Sequence, residues 1–152
     1  MTTPAHERYY EAMQAALRLL RSRDRTEAEL SDALSAKGFA DPELGLVLQS
    51  LKAARYVDDV RIAQRAVELA TKQDPKGHLL VEQSLRDRGT DDEAISAALV
   101  QLDNEAELAE AAFEKHRKPG DTPARAAARL ARKGFDEDAV RTVIERHFPE
   151  FD

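Results

Sequence analysis

The chain has 152 residues, of which 42% are hydrophobic and 34% charged, with six glycines, six prolines and no cysteine. These figures allow one modest core or a row of small linked cores, and they exclude a disulfide framework, a thiol nucleophile and a thiolate zinc site. The net charge of −6 argues against a surface that binds nucleic acid over its whole extent, because neutralising phosphates needs clustered Lys and Arg.

The first predicted unit covers residues 6–57, after a flexible N-terminus at 1–5. Its first helix carries one apolar stripe, formed by Tyr9, Met13, Ala16, Leu17 and Leu20. Thr26 and Glu29 have the spacing of a capping box, which predicts the start of a second helix that ends at Gly38. A third helix is expected to begin around Asp41, with Pro42 in its first turn.

The second predicted unit covers residues 58–103. Its first helix is indicated by Ala63, Ala66, Val67 and Ala70. Asp74 and Pro75 are expected to cap the next helix, which ends at Gly89. Acidic residues from Asp91 onward then open the third helix of this unit.

The third predicted unit covers residues 104–152, with an apolar stripe at Ala109, Ala112 and Phe113. Residues 118–121, Lys-Pro-Gly-Asp, are expected to form a flexible joint after this helix. Thr122 and Pro123 predict the cap and first position of the next helix, which ends at Gly134. Acids from Asp136 onward open the last helix.

The three units share one repeated turn, Leu-x-x-cation-Gly, which ends at Gly38, Gly89 and Gly134. After each glycine, the apolar positions return at offsets of six, nine and ten. A cation at a helix C-terminus followed by a glycine that can adopt the left-handed conformation is typical of a helix end. The sequence therefore predicts an all-α fold, an elongated array of three tandem three-helix repeats in which each unit depends on its neighbours.

Residues for catalysis or for binding a cofactor or metal are not grouped in the sequence. The four histidines are scattered, and the motifs of zinc proteases, of serine hydrolases and of phosphate-binding loops are missing. Asp58 and Asp59 could act as an acid-base or magnesium pair, but they stand where the N-cap and first turn of a helix are expected. We favour capping, and we expect a binding protein without a cofactor or metal, not an enzyme.

Basic residues are the candidate partner contacts. They cluster near the end of the first helix, recur around the second turn, and reach four on one face of the eighth helix: Arg18, Arg21, Arg23, Arg25, Arg86, Arg88, Arg125, Arg129, Arg132 and Lys133. They could be ordinary solvated cations, or they could align into a track that meets DNA phosphates or an acidic protein surface.

Aromatic residues offer few platforms for stacked bases. Phe39 and Phe135 follow their turn glycines and are expected to close the helix pairs, while Tyr9, Tyr56 and Phe113 fit apolar core stripes. The acidic starts of the third helix in each unit would repel phosphate, which argues against insertion into the major groove of DNA. Sequence-specific base reading is therefore not expected.

Two segments carry a resemblance to a known family. Residues 25–39 contain Arg-Thr-x-x-Glu-Leu followed by Leu-x-x-Lys-Gly, and residues 56–63 read Tyr-Val-Asp-Asp-Val-Arg-Ile-Ala. This pattern resembles the signature of the bacterial RecX regulatory proteins, in which Gly38, Tyr56, Asp58, Asp59 and Arg61 would be structural motif residues, as Gly89 and Gly134 are in the repeat. Arg55 stands where that family commonly has Gly, and residues 77–81 lack the basic residues that commonly follow the middle glycine.

The resemblance implies a cytoplasmic protein that binds the RecA recombinase filament on single-stranded DNA. Such a protein would restrain strand exchange, ATP hydrolysis and co-protease activity, and so act in homologous recombination, DNA repair and the SOS response. The implied mechanism is an array lying in the groove of the filament, touching RecA subunits and single-stranded or duplex DNA. The alternative is a helical repeat protein that binds DNA directly through its basic helix faces.

No membrane partner is expected, because no stretch approaches the roughly 20 apolar residues of a span. The sequence carries no oligomerisation signal, and we expect a monomer.

Overall fold

The computed structural model of the protein describes residues 4–102 and 104–150. The helices in these ranges are α1 (Pro4–Ser22), α2 (Glu27–Ala36), α3 (Glu43–Ala53), α4 (Asp59–Lys72), α5 (His78–Asp87), α6 (Asp92–Leu99), α7 (Glu105–His116), α8 (Pro123–Arg132) and α9 (Glu137–His147). The described residues contain no strand, and the predicted all-α fold is confirmed. Because α1 already starts at Pro4, residues 4 and 5 are helical and not part of a flexible N-terminus; residues 1–3 lie outside the described residues.

Each set of three consecutive helices encloses its own core. The first and third helix of every unit pack together, and the second helix closes the bundle. The leucine that opens each repeated turn, Leu34, Leu85 or Leu130, is buried in the core of its unit. Val47 and Val143, at the predicted offset of nine residues after their glycines, are fully buried. Repeated offsets therefore correspond to repeated core positions.

Several predicted helix starts are confirmed. The Thr26 hydroxyl accepts the Glu29 amide at 3.0 Å and the Glu29 carboxylate accepts the Thr26 amide at 2.9 Å, which is the reciprocal pair of a capping box. Thr122 and Asp136 cap α8 and α9 through their side chains. Pro42 lies at the N-cap of α3, one residue before the first turn in which it was expected.

One predicted cap is wrong. The N-cap of α5 is Gly77, and not the Asp74-Pro75 pair. The Asp74 carboxylate instead accepts a hydrogen bond from the Lys133 ammonium at 3.0 Å. A charged partner from the next unit binds this carboxylate more strongly than a neutral backbone amide would, so the sequence position of an acid near a helix start does not by itself decide its role.

Two further expectations differ from the structure. Tyr56 is 57% exposed and does not lie in the core. Residues 118–121 are held in place and are not a flexible joint, because the Asp121 carboxylate accepts the Lys118 amide at 3.1 Å and pairs with the Arg129 guanidinium at 2.6 Å. These hydrogen bonds hold the pKa of Asp121 below its usual value, chiefly through Arg129.

The array is elongated. Its accessible surface is 9502 Å², whereas a compact monomer of the same mass would expose about 7,700 Å². The excess surface is expected for three small bundles in a row, since each one shares only its ends with its neighbours. None of the described helices is long and apolar enough to span a bilayer.

Candidate partner-binding surface

Units 1 and 2 meet at a polar contact that we call joint 1, formed by residues 24–29, Asp59 and residues 88–91. The start of α2 packs against the turn after α5. The Thr26 hydroxyl, which is fully buried, donates to the Arg88 carbonyl at 2.7 Å. A methyl group added at Gly89 would lie 2.7 Å from Cβ of Ala28. The repeated glycine therefore allows close approach as well as the left-handed turn, in which its φ is 73°.

Asp59 accepts hydrogen bonds from the starts of both α2 and α6 at joint 1. One carboxylate oxygen accepts the Glu27 amide at 3.0 Å and the other accepts the Asp91 amide at 3.0 Å. A carboxylate is favourable here because it meets the positive ends of two helix dipoles. Its neighbour Asp58 caps α4 by accepting the Arg61 amide at 3.2 Å, which confirms the capping interpretation for that residue.

The motif around residues 55–61 connects the two units. The Arg61 guanidinium donates to the Arg55 carbonyl at 2.9 Å and lies 3.4 Å from the Asp24 carboxylate. Arg55 has a φ of 63°, in the left-handed region that favours glycine. This conformation explains why a glycine suits that position. Within the motif, the hydrogen bond from Arg61 to Arg55 stabilises the connection between α3 and α4.

Units 2 and 3 meet at joint 2, formed by residues 74–80, Glu105 and residues 133–136. Glu105 repeats the role of Asp59, since its carboxylate accepts the His78 amide at 2.6 Å and the Asp136 amide at 3.2 Å. The Gly77 amide donates to the Lys133 carbonyl at 3.0 Å, in the place of the Thr26 hydroxyl at joint 1. The two joints thus use one geometry twice.

The cations of the second and third repeated turns each pair with the unit before their own. The Arg88 guanidinium donates to both oxygens of Glu29, at 2.9 and 3.2 Å, and Lys133 binds Asp74. Burial alone would raise the pKa of both carboxyls, but hydrogen bonds and charges, chiefly from Arg88 and from Lys133, outweigh it and lower both pKa values. These two cations therefore hold the array together.

The ten predicted contact cations fall into two groups. Six have partners inside the chain: Arg23, Arg25, Arg86, Arg88, Arg129 and Lys133. Four are without an ion pair or hydrogen bond from their side chains to the residues of 4–102 and 104–150: Arg18, Arg21, Arg125 and Arg132. On α8, Arg129 and Lys133 are half-buried, so the four cations do not project together as the helical spacing predicted.

A cleft of about 340 Å³ lies on one side of joint 1. Its lining carries Arg23, Arg65 and Arg88 and one acid, Asp24, which pairs with Arg61. An apolar wall includes Leu69, which is 36% exposed. Sequence reasoning missed Arg65, whose guanidinium has no partner among the described residues. The sequence signal that could have identified Arg65 is its place as a single cation between Ala63 and Ala66 of the apolar stripe of α4. The combination of guanidinium groups beside apolar surface suits an acidic, partly apolar protein segment.

The fold defines a class of protein: an all-helical array of three three-helix units. A family model described as the first three-helix domain of RecX matches residues 12–51. The chain is 36% identical over 141 residues to the regulatory protein RecX of Geobacillus kaustophilus (strain HTA426), covering 88% of this chain and 52% of that protein. It is 34% identical to the RecX of Mycobacterium sp. (strain JLS), covering 84% and 76%, and 32% identical to that of Amycolatopsis mediterranei (strain U-32), covering 97% and 89%.

The chain belongs to the RecX family of regulatory proteins, which confirms the resemblance and the expectation of a regulator, not an enzyme. It spans about half the length of the Geobacillus relative. A crystal structure of RecX from Lactobacillus salivarius superimposes with a TM-score of 0.78 at 21% identity, covering 92% of this chain and 96% of that one. A second RecX crystal structure gives a TM-score of 0.74 at 24% identity, covering 91% and 72%. Both likenesses support the fold alone.

Proposed function

We propose that this protein binds the RecA filament on single-stranded DNA and restrains its strand exchange, ATP hydrolysis and co-protease activity. The observation that carries the proposal is membership of the RecX family over most of the chain, with relatives that are named as regulatory proteins. A regulator of a filament needs reach and stiffness, and both are present. Three cores in a row give reach, and the two polar joints limit bending between units.

The cleft beside joint 1 is the proposed contact with RecA. Arg65 is exposed and unpaired among the described residues, whereas Arg88 beside it is held in place by Glu29. The fixed guanidinium of Arg88 and the adaptable one of Arg65 offer positive charge to an acidic segment. The side chain of Leu69 beside them offers apolar contact. Cations engaged inside the chain contribute less, since binding a partner would cost them their present ion pairs.

The experiment measures DNA-dependent ATPase and strand exchange of the cognate RecA as this protein is added. Wild type is expected to lower both, and Arg65→Glu to need about tenfold more protein for the same effect, because a buried like-charge contact opposes binding. Arg141→Glu is the matched control. Arg141 is an exposed cation of α9 in unit 3 that does not line the cleft, and its one partner within the described ranges, Asp138, is itself exposed. Unchanged ATPase and strand exchange at saturating wild-type protein would refute the proposed function.

Direct DNA binding is the second candidate. It is favoured by Arg125 and Arg132 of α8, which are exposed and have no side-chain partner among the described residues. This candidate predicts binding to naked DNA that weakens steeply with salt, since each phosphate contact releases counterions. The double variant Arg125→Glu and Arg132→Glu should then abolish binding, with Arg141→Glu as control. Reversal at Arg129 or Lys133 would be a poor test because those residues hold the fold. Salt-insensitive affinity, or affinity kept by the double variant, would exclude this surface.

A further inference from the structure

The repeated turn of unit 1 lacks the neighbour that covers the other two turns. A methyl group at Gly89 would meet Ala28 at 2.7 Å, and one at Gly134 would meet Leu80 at 2.3 Å, because the start of the preceding unit's second helix covers each turn. The same group at Gly38 would have no atom of the described residues within 4 Å. Unit 1 therefore presents an uncovered copy of a surface that is used twice inside this chain.

Lys37 is the cation of that uncovered turn. It occupies the C-cap of α2, as Arg88 does for α5 and Lys133 for α8. Arg88 and Lys133 each bind a carboxylate near a helix start of the preceding unit. Lys37 is exposed, and its side chain has no ion pair or hydrogen bond to the described residues. The equivalent ligand, an acid, is what this turn lacks.

The charge of unit 1 also differs at the bridging position. Asp59 and Glu105 precede their turn glycines by 30 and 29 residues, and Arg8 precedes Gly38 by 30. The Arg8 guanidinium donates to the Gly38 carbonyl at 3.1 Å and to the Glu11 carboxylate at 3.1 Å, and it lies 4.6 Å above the Phe39 ring. Unit 1 thus carries a cation where units 2 and 3 carry an anion. We call Arg8, Lys37, Gly38 and Phe39 the open turn.

The other end of the array is a poor ligand for the open turn, which argues against head-to-tail assembly of copies. At the first position of α8 stands Pro123, which has no amide to donate, whereas Glu27 and His78 donate theirs at the equivalent positions. Three residues after the cap stands Arg125, where α2 has Glu29. Arg125 would oppose Lys37 by like charge, which argues against the α8 end of a second copy as the occupant.

We propose that the open turn binds the acidic N-terminal end of a helix of a partner protein, in the geometry of joints 1 and 2. A carboxylate of that helix pairs with Lys37, and its first turn packs on Gly38. The inference rests on the proposed function for its partner, the RecA filament, and adds a second contact at the end of the array opposite α8.

The test compares filament binding by wild type, Lys37→Glu and the matched control Lys72→Glu. Lys72 is an exposed cation of α4 whose one partner in the part of the chain that the structure describes is the exposed Glu68. Lys37→Glu is expected to raise the Kd for RecA on single-stranded DNA about tenfold and Lys72→Glu less than twofold. Circular dichroism should show both variants folded, because neither lysine supports the core. If wild type binds and Lys37→Glu binds equally well, the inference fails while the proposed function stands. If wild type does not bind, both fail.

A cross-link identifies the occupant. Because the chain has no cysteine, Lys37→Cys gives a single thiol for a photoreactive maleimide. The expected product joins position 37 to a RecA peptide in the first turn of a helix that carries Asp or Glu. Replacing that acid with Lys should restore binding to Lys37→Glu. A cross-link to a second copy of this chain, or to a RecA segment without an acid, would overturn the inference.

Discussion

Replacement of Gly77 by Ala is the sharpest test of joint 2. Gly77 has a φ of −76°, which any residue adopts, so the substitution introduces no backbone strain of its own. Its new methyl group would lie 2.1 Å from the Gly134 carbonyl oxygen. Ordinary carbon to oxygen contacts are about 3.3 Å. The two backbones must therefore separate by about 1 Å.

That separation breaks the joint. The hydrogen bond from the Gly77 amide to the Lys133 carbonyl, now 3.0 Å, would lengthen beyond the limit of a useful bond. The Glu105 carboxylate would also lose its hydrogen bonds to the amides of His78 and Asp136. Overpacking and an unsatisfied backbone group together cost about 2–4 kcal/mol. For a chain of this length the melting temperature should fall by about 4–16 °C.

Denaturation by heat and by urea measures this loss, and hydrogen exchange locates it. The amides of His78 and Asp136 should lose protection, while those of Glu27 and Asp91 at joint 1 should keep it. Gly45→Ala in α3 is the control, because among the described residues its methyl group would meet only the side-chain oxygen of Asp41, at 3.1 Å, which accepts the Gly45 amide at 3.0 Å. It should leave stability unchanged or raise it by about 0.5–1 kcal/mol. A Gly77→Ala protein within about 0.5 kcal/mol of wild type would refute the account of joint 2.

Three further predictions concern the charges of the joints. Arg88→Met should lower the free energy of unfolding by about 1–2 kcal/mol and raise the pKa of Glu29 toward its usual value, as measured by urea unfolding and NMR titration; an unchanged pKa would contradict the pairing. Because the folded-state pKa values of Glu29 and Asp74 are lowered, the unfolded chain binds more protons in acid, so stability should hold above about pH 4.5 and fall as the pH drops through the folded-state values. A wild-type stability profile that stays flat from pH 5 to pH 2 would show that this linkage is absent. Asp59→Ala should cost about 2–3 kcal/mol, since two helix-start amides lose a charged acceptor, against about 1 kcal/mol for Asp58→Ala, which removes an ordinary cap; equal losses would contradict the bridging role of Asp59.

The repeat and its helices could be predicted from the sequence because each is a local pattern. The offsets after Gly38, Gly89 and Gly134 follow from the period of a helix, and a capping box such as that of Thr26 depends on residues only three apart. Family membership followed from motifs of the same local kind.

The roles of the cations could not be predicted in this way. Arg88 and Lys133 each pair with an acid 59 residues away in the chain, and nothing local distinguishes them from Lys37, which has no such partner among the described residues. Arg129, a candidate partner contact, instead binds Asp121, which lies directly before the N-cap of α8. An ion pair between units depends on which unit lies next to which. Helical spacing carries no information about that arrangement.

By itself the sequence determined the class of fold, the number of units and the turns between their helices, because helix period, caps and left-handed glycines act over a few residues. Tertiary structure alone decided which charges join the units and which remain for a partner. Asp59 and Asp58 are adjacent acids at one helix start, yet one fastens two units and the other caps a single helix. The difference arises because only the carboxylate of Asp59 lies within hydrogen-bond distance of the amides of two other helix starts.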